Sequence, residues 1–158
     1  SYSSNGLDKV EFLISPNAGE PLKPLSKIAS GGEMSRIMLA IKTILADCDD
    51  MPTLIFDEID IGVSGRAAQK VGEKLSLISR NHQVLCVTHL PQIACMADEH
   101  YLIEKVTEVE STETQVIHIE GKSREDELAR LLGGANISEI TRKHAAEMIE
   151  NAAKFKQV

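Results

Sequence analysis

The stretch TLIFDEIDIGVSG, from Thr53 to Gly65, decides the fold. Four apolar residues run straight into two carboxylates, and a small-residue loop follows. A short continuous apolar run reads as a parallel strand buried on both faces. The next segment, from Gly65 to Arg80, has Ala68, Val71, Leu75 and Ile78 at helical spacing, which predicts a helix with those four residues inward. A second apolar run, QVLCVT from Gln83 to Thr88, predicts another buried strand. Strand, helix and strand in that order imply a parallel α/β core. In such sheets ligands gather at the carboxyl ends of the strands. Asp57, Glu58 and His89 all follow those strand ends, so one rim is expected to carry them.

Upstream, VEFLIS (Val10–Ser15) reads as a strand, and PNAGEPLKPLSKIAS, with three prolines and a glycine, reads as an irregular loop. A helix is expected from about Gly31 to Ala46, with Met34, Ile37, Met38, Ile41 and Leu45 as its apolar face. Downstream, LPQIACMA predicts a short helix with Pro91 in its first turn. YLIEKV and TQVIHI predict two strands joined as a small hairpin. REDELARLLGG predicts a helix stopped at Gly133-Gly134, and a closing helix starts at Ser138. No internal repeat or low-complexity tract interrupts the chain. Residues 1–8 are expected to be disordered, and the whole of 1–158 to form one domain.

The 158 residues suffice for a domain with a real core, and 42 % apolar with 26 % charged residues is ordinary for a globular protein. No apolar run reaches membrane-spanning length, so no membrane partner is expected. The amino-terminal segment has no basic region leading into an apolar one, unlike a secretory signal. Cys48, Cys86 and Cys95 are odd in number, lack CxxC spacing and lie in apolar contexts, so they are expected to be reduced core residues. A net charge of −7 and 3 % aromatics argue against this segment as a main nucleic-acid contact.

In SGGE, Ser30 can cap the helix, with Glu33 closing a capping box. Capping does not account for Gly31 and Gly32, because glycine weakens a helix. What glycine allows is close approach of another group, and a bare helix N-terminus is an anion site. Capping and phosphate contact both stay open on this stretch alone. Asp57 and Glu58 are either two solvated acids at a strand end or a Mg²⁺ ligand beside a group that activates water. His89 is either a surface histidine or a phosphate contact on the same rim. The loop Asp60–Gly65 is either a tight turn with Ser64 as helix cap or a surface that packs on a second subunit.

Taken in order, these elements resemble the C-terminal half of an ABC-type ATPase head. SGGE is similar to its signature motif, TLIFDE to the Walker B strand, DIGVSG to the D-loop, and His89 to the switch histidine. LKPLSKIASGGEMSRIMLAIK, IFDEIDIGVSG, VTHLPQIA and ELARLLGG resemble one branch in particular, the RecN DNA-repair proteins, which are related to the SMC ATPases. The likeness runs from about Asp8 to the last helix.

The resemblance implies an α/β lobe with a largely parallel sheet flanked by helices and a small added hairpin. It implies ATP sandwiched between two heads, with Mg²⁺. Ser30, Gly31, Gly32 and Glu33 would contact nucleotide held by the partner head. Asp57 would bind the metal. Glu58 would be the catalytic base, and His89 would sense the γ-phosphate. Asp60, Gly62, Ser64 and Gly65 would pack across the dimer interface. No GxxxxGK[ST] occurs in the chain. The expectation is therefore a C-terminal fragment whose partners are the N-terminal half of its own head, a second head in a homodimer, and DNA through the full-length protein. It would serve double-strand-break repair and recombination in a bacterial, nucleoid-associated cytoplasmic setting, and would be inactive alone. It would also expose an apolar face where the other half is missing. The rival readings are a nucleotide-independent interaction module and a fragment of another ABC ATPase.

Overall fold

A computed structural model describes residues 6–8, 10–15, 19–27, 30–45, 51–107 and 112–157. Of the segment expected to be disordered, residues 1–5 lie outside the described residues. So do Cys48, the end of the first helix and residues 108–111 of the hairpin connection.

Thr53–Phe56 forms strand β3, and Gln83–Cys86 forms β4. They pair in parallel, Thr53 opposite Gln83 and Phe56 opposite Cys86. Helix α2 (Gly65–Ile78) makes the crossover and buries Ala68, Val71, Leu75 and Ile78, the inward set that the periodicity predicts. Leu54 and Phe56 meet Val71, Leu75 and Ile78 in one apolar cluster with Leu39, Ile59 and Ile93.

β3 is not buried on both faces. Leu54 and Phe56 are inside, but Ile55 is 71 % exposed, and Leu85 and Val87 beside it are exposed too. Side chains alternate across a strand. All four residues of TLIF but the first are strongly apolar, so composition does not reveal which face lacks a cover. The exposed apolar face expected from the sequence is present.

Helix α1 (Gly31–Leu45) starts where the sequence predicts, but its apolar stripe is half open. Leu39 is its buried apolar side chain, while Met38 and Leu45 are exposed and Met34, Ile37 and Ile41 are half-buried. Met34 and Met38 line an open groove of about 420 Å³ with Ile55 and Lys42. The outward face of the sheet and the flank of α1 therefore form one continuous uncovered apolar surface.

The predicted strand Val10–Ser15 shortens to β1 (Leu13–Ile14). It pairs antiparallel with β2 (Lys23–Pro24), inside the segment predicted as loop. Pro24 has no N–H to extend the ladder. A single turn of 3₁₀ helix, Leu25–Lys27, follows.

Pro91–Ala94 forms α3 with proline at its start. The hairpin is β5 (His100–Thr107) with β6 (Thr112–Ile119), in register from His100 opposite Ile119 to Thr107 opposite Thr112. α4 (Gly121–Gly133) starts three residues before its predicted segment and ends at Gly134. There φ is 65°, and the Gly134 N–H donates to the Arg130 carbonyl at 2.8 Å. α5 (Glu139–Lys156) is capped by Ser138, whose hydroxyl accepts from the Thr141 N–H at 3.1 Å. Leu128 and Ala129 of α4 pack on Ala145 and Ala152 of α5 and on Ala94 to Met96, a second cluster joined to the first through α3. Among the described residues, no helix is long and apolar enough to cross a membrane.

Candidate functional site at the strand ends

The rim after β3 is organised by one apolar residue. Ile59, flanked by Glu58 and Asp60, is fully buried in the first core cluster. Burying such a side chain contributes about 1.5–3 kcal/mol, and it fixes the directions of its neighbours. Glu58 points outward and Asp60 points inward. Glu58 has φ 58°, the left-handed region, and no other non-glycine among the described residues does so. Such a conformation costs of order 1–3 kcal/mol and persists only where the surroundings hold it. Here the Glu58 N–H donates to Asp57 Oδ1 at 2.9 Å, and the Glu58 carbonyl accepts from the Ile61 N–H at 3.1 Å.

The N-terminus of α1 packs on this same loop. Ser30 Oγ accepts from the Glu33 N–H at 3.2 Å, so the cap is real. The reverse bond of a capping box, from Glu33 back to Ser30, is not made among the described residues. Gly32 is buried, and a Cβ there would lie 2.8 Å from the Glu58 carbonyl oxygen and 3.0 Å from that of Ile61. Gly31 is exposed, and a Cβ there would run into the Glu58 carboxylate. Thus the requirement for glycine at position 32 is met within the chain, by close approach of its own backbone. Two further ties hold the helix to the loop. Arg36 Nη1 donates to the carbonyls of Ile59 (3.2 Å) and Ile61 (2.7 Å), and Ser35 Oγ donates to the carbonyl of Asp57 at 2.9 Å.

Asp60 is 4 % exposed. Its Oδ2 accepts from Thr88 Oγ1 at 2.7 Å and from the His89 N–H at 2.9 Å, and His89 Nδ1 stands 2.9 Å away as an ion-pair contact. Burial alone would raise its pKa. The hydrogen bonds from His89 and Thr88, with the charge of the imidazole, outweigh that and hold the carboxyl below its ordinary value of 3.8. The His89 side chain is 72 % exposed beyond this contact. Burial, with the negative charges of Asp60 and Asp57, pushes the Cys86 thiol up to about 12. Burial raises that of Cys95 as well. Both are free and stay protonated, as expected of inert core cysteines.

The structure brings Ser30, Gly31, Gly32, Asp57, Glu58, Asp60 and His89 to one edge, because β3 and β4 are parallel and their carboxyl ends adjoin. It puts the side chain of Asp60 inside its own chain, whereas Gly62, Ser64 and Gly65 are exposed. Ser64 occupies the cap position of α2 by backbone only, with no side-chain cap bond. Among the described residues no three His, Cys, Asp or Glu side chains are grouped to hold a metal. Asp57, exposed and with one oxygen taken by the Glu58 N–H, fits a single carboxylate contact to a hydrated ion and not a protein-built cage. Arg36, Ser35, Ile59 and Thr88 escaped the sequence reading. An apolar residue between two acids is a signal that could have found Ile59; the others show only in three dimensions.

No protein-family model matches the chain. It is 47 % identical over 155 residues to the DNA repair protein RecN of Halalkalibacterium halodurans, covering 98 % of this chain and 27 % of that protein. It is 47 % identical over 154 residues to RecN of Bacillus subtilis, with the same coverage. Identity to RecN of Treponema pallidum is 50 % over 149 residues, 94 % of this chain and 26 % of that one. The chain thus spans about a quarter of the length of these curated relatives. In three dimensions it is similar to a chain solved in work on the structural biochemistry of ATP-driven dimerization and DNA stimulated activation of SMC ATPases. The TM-score is 0.51 at 19 % identity, over 75 % of this chain and 71 % of that one. That likeness shows the fold alone, a mixed arrangement of helices around a parallel strand pair with an added antiparallel hairpin.

Proposed function

Because this chain is a homologue of the RecN DNA repair proteins over 98 % of its own length, we propose that it is the C-terminal lobe of a RecN-type ATPase head acting in DNA double-strand-break repair. The lobe is one domain, and it completes an ATP site only with the Walker A half of the head and a second head. The observation that carries the reading is the packing of the α1 N-terminus on the Asp57–Glu58 turn, at the carboxyl edge of a parallel strand pair, with His89 on the same edge. A helix end with free N–H groups beside a carboxylate pair is suited to hold a phosphate and a hydrated cation.

Each residue then has a defined task. Ser30, Gly31, Gly32 and Glu33 present the helix end to the γ-phosphate of a nucleotide bound by the partner head. Asp57 holds the hydrated Mg²⁺. Glu58 accepts the proton of the attacking water. His89 donates to the γ-phosphate. Gly62, Ser64 and Gly65, exposed on the loop before α2, pack against the second head. The bound Mg²⁺ supplies charge neutralisation for the leaving phosphates. The uncovered face of β3, β4 and α1 receives the missing half of the same head. DNA is engaged through the full-length protein, in a bacterial cytoplasm near the nucleoid.

The test is reconstitution. The chain is mixed with the Walker A half of a RecN head and Mg-ATP, and phosphate release is followed. Hydrolysis should appear on mixing, and should fall by roughly 10²–10⁴-fold in Glu58→Gln. Ser30→Arg should abolish it by filling the helix end. Association that is indifferent to ATP and to Ser30→Arg overturns the reading in favour of a nucleotide-independent interaction module.

A further inference from the structure

We propose that Asp60 is the positioning residue for His89: it fixes the imidazole as the Nδ1–H tautomer and so presents a bare Nε2 to the open edge of the sheet. The sequence pattern groups Asp60 with a loop that faces a partner. In the structure its carboxylate turns inward. Its side chain is 4 % exposed and its Oδ2 lies 2.9 Å from His89 Nδ1, 2.9 Å from the His89 N–H and 2.7 Å from Thr88 Oγ1. A carboxylate only accepts, so the nitrogen facing it must carry the proton. The backbone N–H of the same histidine binds the same oxygen, so ring and main chain are held together. Thr88 adds a second restraint. Its hydroxyl donates to Asp60 and accepts from the Leu90 N–H at 3.1 Å, which ties the carboxylate to the chain on both sides of the histidine.

The arrangement is carried by burial as well as by distance. Ile59 is fully enclosed next to Asp60, so the loop cannot rotate the carboxylate out without exposing core. The ring itself is 72 % exposed, so nothing else in the chain orients it to a comparable degree. A neutral imidazole fixed at Nδ1–H offers an acceptor at Nε2. On gaining a proton it becomes a donor there while keeping the Asp60 contact. A histidine that meets a phosphate must donate, so this arrangement admits the phosphate contact of His89 only in its imidazolium form. This last step rests on the functional reading above; the tautomer does not.

The experiment is long-range ¹H–¹⁵N correlation NMR of the ¹⁵N-labelled 158-residue chain, with the ring assigned through the loss of its signals in His89→Gln. In the neutral form of the wild type, Nδ1 should show the protonated shift and Nε2 the bare one. The carboxylate 2.9 Å from Nδ1 should reverse the free imidazole's preference for Nε2–H, so that Nδ1–H is the major form. Asp60→Ala, which removes the acceptor, should abolish this excess, with Nε2–H becoming the major form, while Thr88→Val, which keeps the carboxylate, should retain it. Neutral His89 found mainly as Nε2–H in the wild type overturns the proposal without need of any variant. So does an unchanged tautomer in Asp60→Ala. Since no nucleotide is involved, failure of ATP hydrolysis in the reconstituted head would sink the functional reading and leave this one standing, and the reverse also holds.

Discussion

Gly31 and Gly32 are adjacent in sequence, yet alanine should have opposite consequences at the two positions. At Gly32 the added methyl would sit 2.8 Å from the Glu58 carbonyl, 3.0 Å from that of Ile61 and 3.1 Å from Arg36 Nη1. Two of these are backbone atoms. To reach ordinary contact the helix and loop must part by roughly half an ångström. The loop resists, because Ile59 is locked in the core and Arg36 holds the carbonyls on either side of Asp60. Overpacking of this kind costs about 1–3 kcal/mol. Alanine recovers up to about 1 kcal/mol of helix propensity, so overpacking leaves a net loss of up to about 2 kcal/mol. With a urea m-value of about 2 kcal/mol per molar, the midpoint should fall by up to about 1 M. At Gly31 the methyl meets only the tip of the Glu58 side chain, which can swing aside. Gly31→Ala should therefore be neutral, or stabilising by up to about 1 kcal/mol. Urea unfolding of the two variants followed by circular dichroism decides it. Equal stabilities, or a larger loss at position 31, would refute the packing account. In the reconstituted head the order should reverse in kind: Gly31→Ala, though stable, should impair hydrolysis by crowding the helix end.

Three further outcomes follow from the structure. The carboxyl of Asp60 is held below 3.8, so its stabilising contribution is complete above about pH 5 and is lost as pH falls through the folded-state value, below about pH 4. The stability gap between wild type and Asp60→Asn, measured by urea unfolding across pH 2.5–7, should be widest near neutrality and narrow on the acid side; a gap that widens below pH 4 would contradict this. Ile55→Lys with Leu85→Lys, both on the uncovered sheet face, should cost little stability and reduce binding of a hydrophobic dye. The same pair should abolish association with the other half of the head, measured by calorimetry, and undiminished association would place the docking surface elsewhere. The isolated chain should release no phosphate from Mg-ATP above the buffer control, and a clear rate would disprove its dependence on a Walker A half.

The legibility of the fold tracks the strength of periodicity. α2 and its inward residues, the two parallel strands as elements, the hairpin, the glycine stop at Gly134 and the Ser138 cap were all readable, because each rests on local chemistry within a few residues. β2 was not, since two strand residues closed by Pro24 leave too little pattern to count. The burial of β3 was misread for another reason. An apolar residue at Ile55 is called for by whatever covers the outer face, and a sequence records that demand whether or not the cover is present. The same holds for Met34 and Met38 on α1, whose stripe is half open toward the groove. At the site, the acids and the histidine were legible as residues at strand ends. Their orientations were not, because these depend on Ile59 entering the core and on Thr88 and His89 meeting Asp60 across 28 or more residues of chain.

The position of the Glu58 side chain has a consequence for how a head of this kind would close. Its carboxylate lies against Gly31, at the end of α1 where the helix favours negative charge. Under the proposed function that end receives a phosphate from the partner head, whereas Glu58 serves the nucleotide of its own head. The two anions cannot share the place, so Glu58 must leave Gly31 before the partner's phosphate arrives. The backbone is poorly suited to that movement, because Ile59 and Asp60 are held in the core, so the side chain must make it. A carboxylate at a helix N-terminus is favoured by about 0.3–1 kcal/mol, and removing its charge should strengthen nucleotide-dependent head association by roughly two- to fivefold. Glu58→Gln should show this gain even with a non-hydrolysable ATP analogue, where loss of the catalytic base is irrelevant. Glu58→Ala should show it as well, and Glu58→Asp, too short to reach Gly31 but still charged, should show an intermediate gain. Analytical ultracentrifugation of the reconstituted heads with the analogue measures it. Equal association of wild type and Glu58→Gln under those conditions would mean that the contact between Glu58 and Gly31 offers no competition, and that any trapping of dimers by this substitution comes from the missing base alone.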